Sequence, residues 1–232
     1  MGRKLVGTIP KLRKICVVGG LQSDPPMQQS LPARRLVAYL VIKGHPISRP
    51  VAAAELWPDM PESTARANLR RALWRLPLGW VTSVGDELAL NVESDLAEAN
   101  RASNLALNGE PLTLEQIQLL SRDILPGWHD DWILLAHEAF RLLRVQALEA
   151  ACRTLISKGA YALATQAAAA AFAAEPLRES AAEALIDAHL AQHNRYQAVQ
   201  CFRELAKRLS LELGVDPDPC LAERLNALSS QR

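Results

Sequence analysis

The residues best suited to chemistry are four arginines within one short, uninterrupted stretch. Residues 61–76 read PESTARANLRRALWRL, and the sequence contains no acidic residue between Glu62 and Asp86 that could neutralise these arginines. Guanidinium groups bind phosphates and the edges of bases. An arginine-rich face without acidic neighbours therefore predicts an anionic ligand outside its own helix, and duplex DNA is the first candidate. A solvated face without a ligand is the simpler alternative.

The same stretch has the signals of an amphipathic helix of about four turns. Pro61 and Glu62 suit the first turn, Ser63 or Thr64 can cap the free N–H groups, and Pro77 ends the pattern. At about 100° per residue the helix has one apolar face and one cationic face. The apolar face, which is predicted to be buried, contains Ala65, Leu69, Ala72, Leu73 and Leu76. The opposite face contains Ser63, Thr64, Ala67, Arg70, Arg71 and Trp74.

The elements on either side of this helix have the order of a winged helix-turn-helix. Residues 33–44 and 49–57 have helical spacing, and Ser48 is the expected cap of the second helix. Residues 80–92 alternate as a β-hairpin, and a short N-terminal sheet is expected around residues 14–22. In this fold the third helix enters the major groove, and the hairpin lies beside the neighbouring backbone.

The second half of the chain is predicted to be helical and to contain tetratricopeptide-like repeats. Gly159-Ala-Tyr161 and Asn194-Arg-Tyr196 begin similar patterns 35 residues apart. In such repeats small alanines allow close contact between helices, and we expect the two tyrosines to pack between neighbouring helices. Asn194 stands where the first repeat has a glycine, at a turn that we expect to need positive φ.

A polar stretch after residue 93 and a change of charge separate the two halves. Residues 1–100 contain 13 Lys and Arg against 9 Asp and Glu, whereas residues 101–232 contain 13 against 16. We therefore expect a DNA-binding domain at residues 1–97 and a helical domain at residues 98–232. The predicted fold class is mainly α, with an N-terminal winged helix-turn-helix that contains small β-sheets and a C-terminal all-α repeat domain.

Composition and motifs argue against an enzyme, a membrane protein and a metalloprotein. The chain is 49% hydrophobic and 22% charged, and no apolar run is long enough to span a bilayer, so we expect a cytoplasmic protein. It contains no G-x-x-x-x-G-K-[ST], H-E-x-x-H or G-x-S-x-G motif, and its five histidines are dispersed. His129, Asp130 and Asp131 are adjacent in sequence and cannot easily converge on one ion. No catalytic residue, cofactor or metal is expected.

Two stretches of the chain resemble one family of bacterial regulators. Residues 48–76, SRPVAAAELWPDMPESTARANLRRALWRL, resemble the winged helix of the actinobacterial antibiotic-regulatory-protein (SARP) type activators, including a Leu-Trp-Pro tripeptide at 56–58. Residues 175–228 look like the bacterial transcriptional activator domain of the same family. They contain its Pro-Leu-Arg-Glu signature at 176–179 and its Glu-Leu-Gly-Val-Asp-Pro signature at 212–217. Together the resemblances cover nearly the whole chain in the family's order.

The resemblance implies an activator whose helix 61–76 docks in the major groove of repeated promoter sites. Arg70, Arg71 and Arg75 are the first candidates for contacts with base edges or phosphates. The further candidates are Arg66, Asn68, Ser63 and Thr64, of which the last two would hold a phosphate at the positive helix N-terminus. Trp74 either contacts DNA or covers an apolar seam.

The implied partners are double-stranded DNA, RNA polymerase holoenzyme and a second copy of the chain on repeated sites, with no membrane. Two features depart from the family pattern. Pro77 follows Leu76 where the family commonly has an arginine, and the hairpin tip Gly85-Asp86-Glu87 is acidic where a basic tip would favour phosphates. The alternative function is a tetratricopeptide-like adaptor that binds proteins and whose DNA binding is degenerate.

Overall fold

The computed structural model describes residues 14–24, 26 and 30–223, which form a mainly helical protein with two small sheets. The helices are α1 (Leu31–Lys43), α2 (Arg49–Leu56), α3 (Glu62–Trp74), α4 (Asp95–Leu107), α5 (Leu114–Leu120), α6 (Asp131–Ser157), α7 (Tyr161–Ala174), α8 (Glu179–Ala191) and α9 (Arg195–Glu212). The strands are β1 (Lys14–Cys16), β2 (Gln22–Asp24), β3 (Ile47–Ser48), β4 (Val81–Val84), β5 (Glu87–Leu90) and β6 (Glu93–Ser94). The predicted fold class is confirmed.

The internal contacts divide the chain into two compact units. Unit 1 lies within Met1–Ala97 and Ile124–Ala136, and unit 2 lies within Glu98–Asp123 and His137–Arg232. The sequence placed one boundary, whereas this division also joins residues 124–136 to the first unit.

Three helices and a hairpin surround the core of unit 1. Leu36 and Leu40 of α1, Leu56 of α2 and Leu69 of α3 are almost completely buried, and Leu88 of β5 closes the same cluster. These side chains recur at helical spacing, which is why the segments form helices with one buried face. Burying a leucine side chain contributes about 1.5–3 kcal/mol. The core therefore fixes the position of α3 against α1 and α2.

The two sheets have the order β2-β1-β6 and β3-β5-β4. The expected N-terminal sheet is present, and in it β1 pairs antiparallel with β2 and parallel with β6, partners that the sequence did not indicate. Asp95 follows β6, and its carboxylate accepts hydrogen bonds from the N–H groups of Val17 (2.8 Å) and Val18 (3.1 Å). The carboxylate is buried, and this burial raises the pKa of Asp95 above its ordinary value.

The ends of α1 and α2 lie where the sequence predicted them, but one predicted hydrogen bond is not formed. Gly44 ends α1 in the left-handed conformation, with φ of 67°. Ser48 occupies the N-cap of α2, but its hydroxyl makes no cap hydrogen bond. Its extended backbone instead belongs to β3, which pairs with β5. The expected side-chain cap is therefore wrong, although the helix begins where predicted.

Residues 124–136 join the rest of unit 1 through backbone and aromatic contacts. Ile124 forms a β-bridge with Val18, and the N–H of Leu125 donates to the carbonyl oxygen of Val17 at 2.7 Å. Trp132 lies edge-on to Tyr39, with 5.5 Å between ring centroids. These contacts join residues far apart in sequence, so periodicity alone could not predict them.

In unit 2, α8 packs against α7 and α9, and buried alanines lie in these helices. Several alanines of α7 and α8 are fully buried, among them Ala164, Ala168 and Ala182. Leu205 and Leu209 of α9 are also buried. Alanine allows the backbones of α7, α8 and α9 to approach closely. The helical pairs predicted for this region are confirmed.

The register of the repeat differs from the prediction by one residue. In the turns that precede α7 and α9, the residues with positive φ are Gly159 (72°) and His193 (58°). Asn194 does not have positive φ, and its side chain instead caps α9 by accepting from the N–H of Gln197. The two turns are therefore 34 residues apart, and their helices begin at Tyr161 and Arg195. The expectation that the tyrosines pack between helices is also wrong, because Tyr161 is 41% and Tyr196 is 68% exposed.

Candidate nucleic-acid interface

The predicted arginine helix is present as α3, Glu62–Trp74, with the apolar face buried as expected. Ala65, Leu69 and Ala72 are at most 2% exposed. The cap is Pro61, and its carbonyl oxygen accepts from the N–H groups of Thr64 and Ala65, both at 2.9 Å. Ser63 and Thr64 therefore lie inside the first turn, and the prediction that one of them caps the helix is wrong.

The face of α3 opposite the core presents most of the predicted contact residues to solvent. The exposed residues are Ser63, Thr64, Arg66, Arg70, Arg71, Trp74 and Arg75, and Asn68 is half-buried. Trp74 is 89% exposed, so it does not cover an apolar seam in the part of the chain that the structure describes. An indole in water next to several cationic groups is available for a ligand.

The three arginines of α3 and Arg75, at its C-cap, differ in how far they are neutralised. Arg66 forms an ion pair with Glu62 one turn earlier, so the expectation that no acidic residue neutralises this arginine is wrong. Arg71 donates to the side-chain oxygen of Asn68 at 3.1 Å, a contact that orients the guanidinium and keeps its charge. Among the described residues, the side chains of Arg70 and Arg75 have no hydrogen-bond or ion-pair partner. The available positive charge therefore lies in the C-terminal half of α3.

The hairpin predicted after α3 is formed by β4 and β5, which pair with Val84 opposite Glu87. Gly85 in the turn has φ of 59°, which side chains rarely adopt. Asp86 and Glu87 at the tip are exposed. The tip therefore presents negative charge to solvent, as the sequence indicated.

One side of this hairpin borders a groove that the sequence did not reveal. The groove has a volume of about 590 Å³ and lies between the C-terminal half of α3 and β4. Arg49, Arg70 and Ser83 line it, together with Trp74 and Leu78. Arg49 and Ser83 are 34 residues apart, so no local pattern in the sequence could have paired them.

The other candidate chemistry in unit 1 is accounted for by local contacts. Asp130 forms an ion pair with Arg35, which is also in unit 1. Within residues 14–24, 26 and 30–223 no group of three potential metal ligands comes together. In the same part of the chain, no helix is long and apolar enough to cross a membrane.

The signature residues of the second half make contacts within unit 2. Arg178 binds the buried carboxylate of Glu149 through two N–H donors, Nε to Oε1 at 2.8 Å and Nη2 to Oε2 at 3.1 Å. The hydroxyl of Ser180 donates to the same carboxylate at 2.9 Å. Glu179 accepts from the N–H of Asp218 at 2.7 Å and so joins the start of α8 to the segment after α9. Both signature residues therefore have structural partners.

The segment after α9 begins with a capped helical turn. Gly214 has φ of 69° and ends α9. The next helical turn begins at Asp218, whose carbonyl oxygen accepts from the N–H of Leu221 and whose side chain accepts from the N–H of Cys220.

The fold combines a winged helix-turn-helix in unit 1 with helical repeats in unit 2. Residues 117–228 match the family model of the bacterial transcriptional activator domain. Over 219 residues the chain is 28% identical to the regulatory protein AfsR of Streptomyces griseus, an alignment that covers 88% of this chain. The chain spans only 22% of the length of AfsR. The second half of the chain therefore matches a bacterial transcriptional activator domain, and the similarity to AfsR agrees with a SARP-type regulator.

A solved structure supports the fold. The chain is similar to EmbR of Mycobacterium tuberculosis, which was solved in complex with a low-affinity phosphopeptide, with a TM-score of 0.68 and 23% identity. The similarity covers 93% of this chain and 65% of EmbR.

Proposed function

We propose that this regulator binds double-stranded DNA at repeated promoter sites through α3 and acts on transcription through unit 2 without catalysing a reaction. The observation that carries the proposal is the exposed face of α3, where the side chains of Arg70 and Arg75 have no partner among the described residues and Trp74 is exposed. Arginines without carboxylate partners on the third helix of a winged helix-turn-helix are suited to phosphates and to guanine edges. A protein that binds promoters acts in the cytoplasm, where bacterial DNA lies.

The contribution of each residue follows from its neighbours. We propose that Arg70, Arg71 and Arg75 contact base edges or phosphates. Asn68 orients Arg71 and is itself half-buried, so its role is indirect. Arg66 contributes less, because Glu62 neutralises it in the free protein.

The first turn of α3 is a weaker phosphate site than the sequence suggested. Ser63 and Thr64 remain exposed there, and the helix N-terminus favours an anion. Glu62 adds a negative charge at the same end, and this charge opposes phosphate binding.

Unit 2 is proposed to bind protein, either RNA polymerase holoenzyme or a second copy of the chain. Its described surface contains large apolar side chains near the end of α9, with Leu211 75%, Leu213 58% and Val215 49% exposed. Exposed apolar side chains close together in sequence are a common feature of protein contacts. In either case unit 2 would recruit or hold a partner at the DNA.

The proposal is tested by selecting duplexes from random DNA with the full chain and measuring their affinity over a salt series. Binding should weaken steeply as salt rises, because each neutralised phosphate releases a counterion. Arg70→Ala, Arg71→Ala and Arg75→Ala should each cost about 1–3 kcal/mol if the arginine reads a base. Arg101, an exposed arginine of α4, provides the matched control Arg101→Ala, which should bind normally.

The same experiment separates the proposal from the adaptor alternative. An adaptor with degenerate DNA binding would yield no enriched sequence and no salt-dependent binding. Normal affinity in all three α3 variants would exclude α3 as the contact surface, even if the wild-type protein binds DNA. The spacing of any selected repeats would also report whether two copies bind together.

A further inference from the structure

The groove between α3 and β4 combines two arginines with an apolar wall. Arg49 and Arg70 line it, and Trp74 and Leu78 border it with 89% and 94% of their side chains exposed. None of the described residues that line this groove carries a carboxylate. Two guanidinium groups facing one open space repel each other, so an anion between them would be stabilised.

Arg49 is held in this groove by the hairpin. Its Nη2 donates to the hydroxyl of Ser83 on β4 at 2.9 Å, and its backbone N–H donates to the carbonyl oxygen of Asp86 at 2.8 Å. A guanidinium has five N–H donors, so most donors of Arg49 remain available. Arg49 is half-buried and forms no ion pair within the described part of the chain. It is therefore a positioned cation, fixed by the start of α2 and by β4.

We propose that this groove binds the sugar-phosphate backbone of the DNA that α3 contacts, with Arg49 on a phosphate and Ser83 as the residue that positions Arg49. This inference rests on the proposed function. Trp74 and Leu78 lie against a deoxyribose beside that phosphate. An inorganic anion has no apolar surface to cover these two side chains, whereas the backbone alternates phosphate and sugar.

The proposal gives the hairpin a role that its acidic tip does not suggest. Asp86 and Glu87 at the tip would repel phosphates, so the tip is unsuited to the usual backbone contact. The side of the hairpin is suited to it, because Ser83 on β4 holds a cation that belongs to α2. In this arrangement the hairpin acts through Arg49 and not through its own charged residues.

The test uses the full chain and a duplex selected by the wild-type protein, with a scrambled duplex of the same length. Because the slope of log K against log salt counts neutralised phosphates, Arg49→Ala should make it shallower by about 1. The loss of affinity should be similar on both duplexes, since a phosphate contact carries no sequence information. Arg49→Lys should keep the slope, and Arg101→Ala should resemble the wild type.

Ser83→Ala tests the positioning role. It leaves the charge of Arg49 in place but removes the hydroxyl that orients it, so affinity should fall by less than in Arg49→Ala. The double variant should bind as Arg49→Ala does, because Ser83 acts only through Arg49. A Ser83→Ala effect that persists in full in the Arg49→Ala background would overturn the positioning role.

Replacing single phosphates of the selected duplex by neutral methylphosphonates locates the contact. One replacement should weaken the wild-type protein and have no further effect on Arg49→Ala. Circular dichroism of each variant verifies the fold. If the wild-type protein binds DNA and the folded Arg49→Ala variant has the same slope of log K against log salt, this inference alone is overturned. A wild-type protein without salt-dependent binding would overturn the proposed function as well.

Discussion

The signature residue Arg178 offers the sharpest test of how unit 2 is stabilised. Its partner Glu149 is 5% exposed and accepts three hydrogen bonds, two of them from Arg178. Arg178→Ala would leave a buried carboxylate with only the hydroxyl of Ser180. Breaking a buried ion pair from one side costs about 3–5 kcal/mol. The side chain of Arg178 is 30% exposed, so water can partly solvate the carboxylate, and we expect a loss of about 2–4 kcal/mol.

Two other substitutions calibrate this value. Glu149→Gln keeps one oxygen as an acceptor and removes the buried charge, so it should cost about 1–2 kcal/mol, in the range of a single lost hydrogen bond. Arg141→Ala removes an arginine whose ion pairs with Glu138 and Glu175 lie closer to the surface. Its cost should stay below about 1 kcal/mol.

The assay is urea unfolding of the full chain, followed by far-ultraviolet circular dichroism and by tryptophan fluorescence. All five tryptophans lie in unit 1, so their fluorescence follows that unit and circular dichroism reports the helices of both. Arg178→Ala should shift the circular-dichroism transition to lower urea. A loss no larger than that of Arg141→Ala would refute the argument and favour a surface role for the signature.

Three further predictions follow from single contacts. Burial raises the pKa of Asp95, so the folded state binds the proton of this carboxyl group more tightly than the unfolded state does. The stability of the wild type relative to Asp95→Asn should therefore fall as pH rises above about 4. Unfolding followed by tryptophan fluorescence measures this difference, and a rise with pH would contradict the prediction. Tyr161→Ala should cost less than about 1.5 kcal/mol in urea unfolding, because Tyr161 is 41% exposed. Leu205 is fully buried, so Leu205→Ala should cost about 2–5 kcal/mol in the same assay. Equal losses would show that exposure does not decide the cost. A fragment of residues 1–100 lacks Trp132, so it should melt at a lower temperature than the first transition of the full chain. Where it is folded, it should bind DNA with the same slope of log K against log salt as one protomer of the full chain. A fragment as stable as the full chain would contradict the assignment of residues 124–136 to unit 1.

The sequence predicted the elements whose signals are local. The apolar positions of α3 recur at helical spacing, and Ala65, Leu69 and Ala72 are buried accordingly. The cap was missed because Pro61 already has a fixed φ and a carbonyl oxygen placed to accept from the first turn. The helix therefore begins before the serine and threonine that usually cap.

The repeat register was missed for a related reason. Aligning Tyr161 with Tyr196 puts Asn194 at the position of Gly159, whereas the backbone puts His193 there. Asparagine tolerates positive φ better than most residues, so composition favoured the wrong residue. The backbone instead uses the side chain of Asn194 as a cap, which requires the preceding residue to make the turn.

Long-range contacts account for what the sequence could not predict in the candidate site. Arg49 begins a helix whose pattern indicates only a core contact, and its hydroxyl partner Ser83 lies on a strand whose pattern indicates only a hairpin. Neither residue is unusual for its element. Their meeting depends on the pairing of β3 with β5, which brings the start of α2 to the side of the hairpin.

The charges along α3 explain why the C-terminal half of this helix is the stronger part of the candidate interface. At the start of the helix, Glu62 neutralises Arg66 and adds negative charge where a phosphate would otherwise be favoured. Beyond Asn68 the helix carries no acidic residue, and Arg70 faces the same groove as Arg49. An anionic ligand that binds where the positive charge of the helix is greatest would lie near the groove beside β4. The absence of a basic residue at the hairpin tip is therefore offset by a cation held at its side.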